Sequence, residues 1–211
     1  MIIAIDGPAA SGKGTIARRL AAHYGLPHLD TGLLYRAVGA KALENNVDFD
    51  DTAALAGIAA ALDLAALDAE ALKAGPVGEA ASKVAAVPEV RAKLLKLQQD
   101  FAHQPGGAVL DGRDIGTVIA PDAEVKLFVT ATPEARAERR FNELLKRGEE
   151  VTPAAVLEDI RRRDARDSGR SSAPLVQAPD AQVLDNTGLD VEGSWQAALA
   201  LAERARAAAG L

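Results

Sequence analysis

The stretch that most restricts the fold lies at the start of the chain. Residues 2–5 (IIAI) are a fully apolar run that ends at Asp6, and residues 7–15 (GPAASGKGT) follow without a break. Ile16, Leu20 and Tyr24 then recur at helical spacing until Gly25 stops the pattern. A short apolar run bounded in this way reads as a strand buried on both faces, as in a parallel sheet. The turn joining it to the helix is rich in glycine, so several backbone N–H groups converge at the helix N-terminus. Such a turn is a nest for an anion, and the helix dipole favours negative charge there.

The order of residues in the turn narrows the anion. Gly7, four further residues, Gly12 and Lys13 match the phosphate-binding loop of nucleotide-binding proteins. Gly7 and Gly12 permit backbone dihedrals and close approaches that a side chain would block. Lys13 can neutralise the terminal phosphates of a nucleoside triphosphate. The strict motif ends in Ser or Thr; here that position is Gly14, and the hydroxyl comes one place later at Thr15. The candidate cradle for the triphosphate is therefore Gly7, Pro8, Ala9, Ala10, Ser11, Gly12, Lys13, Gly14 and Thr15. Magnesium is expected to bridge two phosphates. Thr15 is its direct or water-mediated ligand, and Asp111 the acidic partner for its waters; for Asp111 a solvent-facing strand-end role is the alternative.

Strand-like runs recur in "LPHLDTG", ending at Asp30, in "GAVLDGRD", ending at Asp111, in "EVKLFVTA" and in "AQVLDNT". Helical patterns fill the intervals. "GLLYRAVGAKALENN" is capped by Thr31, and an Ala-rich region from about Asp50 to Gln104 is interrupted at Gly75 and Pro76. Pro88 opens a further helix; Thr132 caps another with Pro133 in its first turn; "VEGSWQAALALAERARAAAG" closes the chain. This alternation predicts an α/β fold, a sandwich with a five-stranded parallel sheet flanked by helices. Ligands in such sheets bind outside the carboxyl ends of the strands, so Asp6, Asp30 and Asp111 are expected to face one crevice.

Composition removes several classes. The 211 residues suit one well-cored domain, and the absence of cysteine excludes a disulfide framework or thiolate metal site. His23, His28 and His103 lack metal-ligand spacing. A net charge of −6 argues against a general nucleic-acid partner. No uninterrupted apolar stretch reaches the length of a membrane span, and the chain opens on a strand-like run rather than a signal sequence, so a cytoplasmic protein with no membrane partner is expected.

A second chemistry-bearing stretch is "EDIRRRDARDSGRSSAP". On a helix Arg163, Arg166 and Arg170 share a face, as do Asp164 and Asp167. Such a pattern is either a solvated, ion-paired helix or an arginine-bearing lid. A lid suits a chain with a triphosphate site, because phosphoryl transfer requires exclusion of water and guanidinium groups stabilise charge on the transferred group. Arg136 and Arg140, four apart, face either ATP or solvent.

With "GPAASGKGT", "LDTGLLYR", "ASKVAAVPEVR", "LDGRDIGTVIAPDAEVKLFVTA" and "RRRDARDSGRSSAPL" in this order, the chain resembles the bacterial cytidylate kinase family over nearly its whole length. That family's loop also reads Gly-Lys-Gly-Thr, so Gly14 is a mark of subclass. The resemblance implies a P-loop NTPase-type kinase domain with its core in residues 1–30, 105–146 and 172–211. It further implies a helical monophosphate-binding region in 31–104 and an Arg-rich lid in 147–171. The implied reaction is Mg²⁺-dependent phosphoryl transfer from ATP to CMP or dCMP. The implied monophosphate contacts are Thr31, Tyr35, Arg36, Ser82, Arg91, Arg113, Asp114, Arg163, Asp167 and Arg170. Lys13, Arg163 and Arg170 are the catalytic candidates, with Arg136 toward ATP, and a monomer is expected. One departure stands out: many members carry a β-rich insert ending near "IRT", and here that region is only "LDLAALDAEALKAGPVGE".

Two other readings share parts of this pattern. A different small P-loop kinase, for UMP and CMP or for a shikimate-like acid, would share the loop and sheet; a shikimate-like enzyme would need no base-reading acceptors. A non-catalytic nucleotide switch would bind the triphosphate without acceptor-dependent turnover.

Overall fold

The computed structural model describes residues 1–63, 67–69, 71–73 and 77–211. Gly75 and Pro76, and part of the shortened insert, lie outside the described residues. The chain divides into two compact units, one formed by Met1–Leu29 with Ala102–Leu211 and one by Asp30–Phe101.

The first unit is built on the sheet. Its strands are β1 (Ile2–Asp6), β2 (His28–Asp30, at the border with the second unit), β3 (Ala108–Gly112), β4 (Val125–Thr130) and β5 (Gln182–Asp185), in the order β2-β3-β1-β4-β5. The pairs β1–β3, β1–β4 and β4–β5 are parallel, with Ile3 opposite Val109 on one side and Val125 on the other. Every residue of β1 and β3 is buried, as the uninterrupted apolar runs require. Helices α1 (Lys13–Tyr24) and α8 (Val191–Ala208) cover one face, where Ile16, Leu20, Trp195 and Ala198 pack on Ile3, Ile5, Leu127 and Val129. The unit also holds α6 (Pro133–Lys146) and α7 (Pro153–Gly169), which close a smaller cluster of Ala9, Ala137, Leu144, Val156 and Ile160. A wide turn at Ile115–Ile119 follows β3, closed by the Ala120 N–H donating to the Ile115 carbonyl at 2.7 Å; nothing in the sequence pattern announced it.

The second unit contains α2 (Thr31–Glu44), α3 (Thr52–Ala60), α4 (Val77–Val84) and most of α5 (Pro88–Ala102), with a 3₁₀ turn at Ala71–Lys73. The caps follow the expected chemistry with one correction. Thr132 accepts from Ala135 N–H ahead of Pro133, and Pro88 begins α5. The cap of α2, however, is Asp30, whose carboxylate accepts the Gly32 N–H at 2.9 Å; Thr31 is the first helical residue and is buried. Aspartate outcompetes the neighbouring hydroxyl because its carboxylate carries a full charge at the positive end of the helix.

Candidate functional site

The loop between β1 and α1 is fixed by backbone sterics first. Gly7 has φ 155°, and a Cβ there would overlap the Val129 carbonyl of β4, so only glycine lets the chain leave β1 this close to its neighbour. Helices α2, α3, α6, α7 and α8 are each capped by an Asp or Thr side chain; α1, entered through Gly12, has no side-chain cap and no acid in its first turn. Its N-terminal amides are thus left to the loop, the arrangement an anion uses. Lys13 is buried and donates to the Pro8 carbonyl at 3.2 Å, so its ammonium lies back across the loop. The Ser11 hydroxyl is buried and makes no hydrogen bond among the described residues.

Asp111 is buried at the end of β3, which rules out the solvent-facing role. One carboxylate oxygen meets His28 Nε2 at 2.7 Å, a contact that the sequence did not suggest. The other lies 3.6 Å from the position a Cβ would take on Gly14, an ordinary contact distance, so glycine is not sterically forced there. Asp111 therefore stands beside the Lys-Gly-Thr end of the loop. Thr15, which follows Gly14, is exposed, its hydroxyl accepting from Arg18 at 3.2 Å. A carboxylate and a hydroxyl beside a phosphate nest are hard oxygen ligands that fit Mg²⁺, which keeps several waters.

Of the three strand-end aspartates expected to face one crevice, Asp111 stands beside the loop and the other two accept backbone N–H groups. Asp30 caps its own helix. Asp6 accepts the N–H groups of Ile115 and Gly116, both at 2.8 Å, and is 4% exposed. It ties the wide turn, and with it Arg113 and Asp114, to the strand that carries the loop. Burial pushes the Asp6 carboxyl up to about 7, with the two N–H donors and Lys13 pulling it down and Asp114 adding to the rise.

The arginine-rich stretch is helical to Gly169, and two of its three aspartates, Asp164 and Asp167, have different partners. Asp167 is buried and accepts Arg113 Nε at 2.8 Å, while Arg170 Nε donates to the Asp167 carbonyl at 3.2 Å. Burial alone would raise the Asp167 pKa; the charge and hydrogen bond of Arg113, with Arg170 and Arg163, hold it below the usual carboxylate range. Four of the predicted residues, Arg113, Arg163, Asp167 and Arg170, thus form one charged cluster with Asp114 buried nearby in sequence.

Asp164 instead faces α6. It accepts Arg136 in a two-point pair at 2.9 and 2.6 Å; Arg136 also donates to the Ala131 carbonyl at 2.9 Å and to the Ala9 carbonyl of the loop at 3.2 Å. Arg136 is 3% exposed, so it is not on a solvated helix face, and most of its donors are committed to protein. Arg140 pairs with Glu143 at 2.9 Å. In the second unit, Thr31, Tyr35, Ser82 and Arg91 are buried. The Arg91 guanidinium lies 5.4 Å from the Tyr35 ring centroid and donates to the Ala85 carbonyl at 3.3 Å, and Arg36 donates to the Leu72 carbonyl at 3.4 Å. Among the described residues there is no group of three or more His, Cys, Asp or Glu placed to hold a metal by themselves, and no helix long and apolar enough to cross a membrane.

A family model described as cytidylate kinase matches residues 3–204. The chain is 65% identical over 207 residues to the cytidylate kinase of Xanthobacter autotrophicus, covering 98% of this chain and 99% of that protein. It is 57% identical over 206 residues to that of Caulobacter vibrioides, with 98% and 97% covered. Near end-to-end matching leaves no room for a long insert in the Xanthobacter protein that this chain lacks. A solved structure of an uncharacterized protein from Eubacterium ventriosum superimposes with a TM-score of 0.56 at 16% identity, over 96% of this chain and 98% of that one, a likeness of fold alone.

Proposed function

Since the chain belongs to the cytidylate kinase family, we propose that it transfers the γ-phosphoryl group of ATP to CMP or dCMP, yielding ADP and CDP or dCDP. The observation that carries this reading is the buried, charged Asp167 among Arg113, Arg163 and Arg170, in the same unit as a Gly-rich loop that leads into an uncapped helix.

The loop amides and Lys13 hold the β- and γ-phosphates of ATP. Arg36, Arg91 and Arg163 clamp the phosphate of the acceptor; Thr31 and Tyr35 line it, and Arg113 and Arg170 add charge. Ser82, Asp114 and Asp167 offer acceptors and donors to an amino-bearing base edge and to ribose hydroxyls. The acceptor oxygen belongs to a phosphate that is already anionic, so the chain needs no strong general base. A new P–O bond forms as the bond to the ADP oxygen breaks, and the protein contributes positioning and charge neutralisation. Thr15, and Asp111 through water, are the residues to hold Mg²⁺, which supplies neutralising charge on the phosphates when bound. Arg136 supports the loop from its carbonyl side. A monomer acting in the cytoplasm fits this reading.

The test is an acceptor panel. With ATP and Mg²⁺, ADP release is expected with CMP and dCMP, and weakly or not at all with UMP, AMP and shikimate. Turnover of another acceptor without CDP from CMP would sink the proposal.

A further inference from the structure

Asn186 follows β5, is 2% exposed, and lies among residues that no reading of the sequence singled out. Its backbone N–H donates to the Thr130 carbonyl at 2.9 Å, which extends the β4–β5 ladder by one bond and fixes its position. The side-chain amide is held at both ends. Arg139 NH1 donates to Oδ1 at 2.9 Å, and Arg139 NH2 donates to the Asn186 carbonyl at 2.6 Å. Nδ2 donates to the Ser11 carbonyl of the loop at 2.9 Å. Arginine has no acceptor, so the amide oxygen must face Arg139 and the NH₂ must face Ser11. The orientation is dictated by the network.

The peptide between Ser11 and Gly12 is planar and trans, so its C=O and N–H point in opposite directions. Holding the Ser11 oxygen against Asn186 aims the Gly12 N–H the other way. Arg136 does the same for the Ala9–Ala10 peptide, and Lys13 for the Pro8–Ala9 peptide. A nest binds phosphate tightly only if its amides are aimed before the ligand arrives. We propose that Asn186, oriented by Arg139, is a positioning residue for the ATP-binding loop, acting on the Ser11–Gly12 peptide and not on the nucleotide. This rests on the reading of the loop as the ATP site.

Two substitutions separate positioning from mere support. Asn186→Asp keeps an acceptor for Arg139 and adds an ion pair, but cannot donate to Ser11. Asn186→Leu keeps the volume and loses both bonds. In both, the Kd for ATP measured by calorimetry should rise about tenfold, the KM for CMP should stay within about twofold, and only Asn186→Leu should lose thermal stability. Unchanged ATP affinity in either variant overturns the proposal. So does a loss confined to Asn186→Asp that disappears at high salt, since that is charge repulsion by the new carboxylate. Wild-type protein that fails to bind ATP overturns the functional reading and this proposal together; wild-type binding with unchanged variants overturns this proposal alone.

Discussion

At the end of β1, Asp6 gives both carboxylate oxygens to peptide N–H groups more than a hundred residues away. Its folded pKa lies above its unfolded one. Between about pH 4 and pH 7 the native state therefore retains a proton that the unfolded chain has released. Stability from this group is present below that window and is lost as pH rises through it, with a slope of up to about 1.4 kcal/mol per pH unit. The Asp6→Asn protein should lack the slope. Urea unfolding of both proteins across that window checks this, and parallel pH profiles would refute it. That Asp6 would stand at a strand carboxyl end was legible in the sequence. Its partners were not, because Ile115 and Gly116 reach it only through the wide turn after β3, and turn geometry of that kind has no local residue signature.

At the scale of elements, α6 and α7 are fastened by Arg136 and Asp164, whose side chains are 4% and 26% exposed. Removing one member leaves the other charge poorly compensated, so Asp164→Ala should cost about 3 kcal/mol of stability. The double change Arg136→Met with Asp164→Leu should cost less than either single charge removal, because a packed apolar pair leaves no orphaned charge. Chemical denaturation of Arg136→Met, Asp164→Leu and the double variant measures this; additive losses would mean that the pair is not coupled. Helix α6 was legible from Thr132, Pro133 and the helical pattern that follows, since caps and periodicity act within one or two turns. The aspartate that reaches across to α6 was not. Asp164 and Asp167 lie on one face in sequence, yet one holds Arg136 and the other Arg113, a division set by the packing of α7.

At the scale of the whole molecule, the proposed kinase should separate its two substrates kinetically. Arg170→Ala is expected to lower kcat with CMP by about a hundredfold or more, while the ATP Kd stays within about twofold. Equal loss of both would make Arg170 a structural residue. Discrimination against UMP should reach about a hundredfold in kcat/KM, because uracil presents a carbonyl where, on the proposed reading, Asp114 and Asp167 accept from an amino group. Steady-state kinetics with both nucleotides decides it.

The sequence by itself determined the alternation of strands and helices, the phosphate loop, the Thr132 cap, and the set of charged residues available for a nucleotide. Each of these is carried by residues within a few positions of one another. Tertiary structure decided which of those residues face a ligand and which hold the frame. Arg136 and Asp164 meet across 28 residues, and Asn186 and Ser11 across 175. A guanidinium has a limited number of N–H groups. Only the folded arrangement determines whether they go to a carbonyl of the loop, a carboxylate of the neighbouring helix or a bound phosphate.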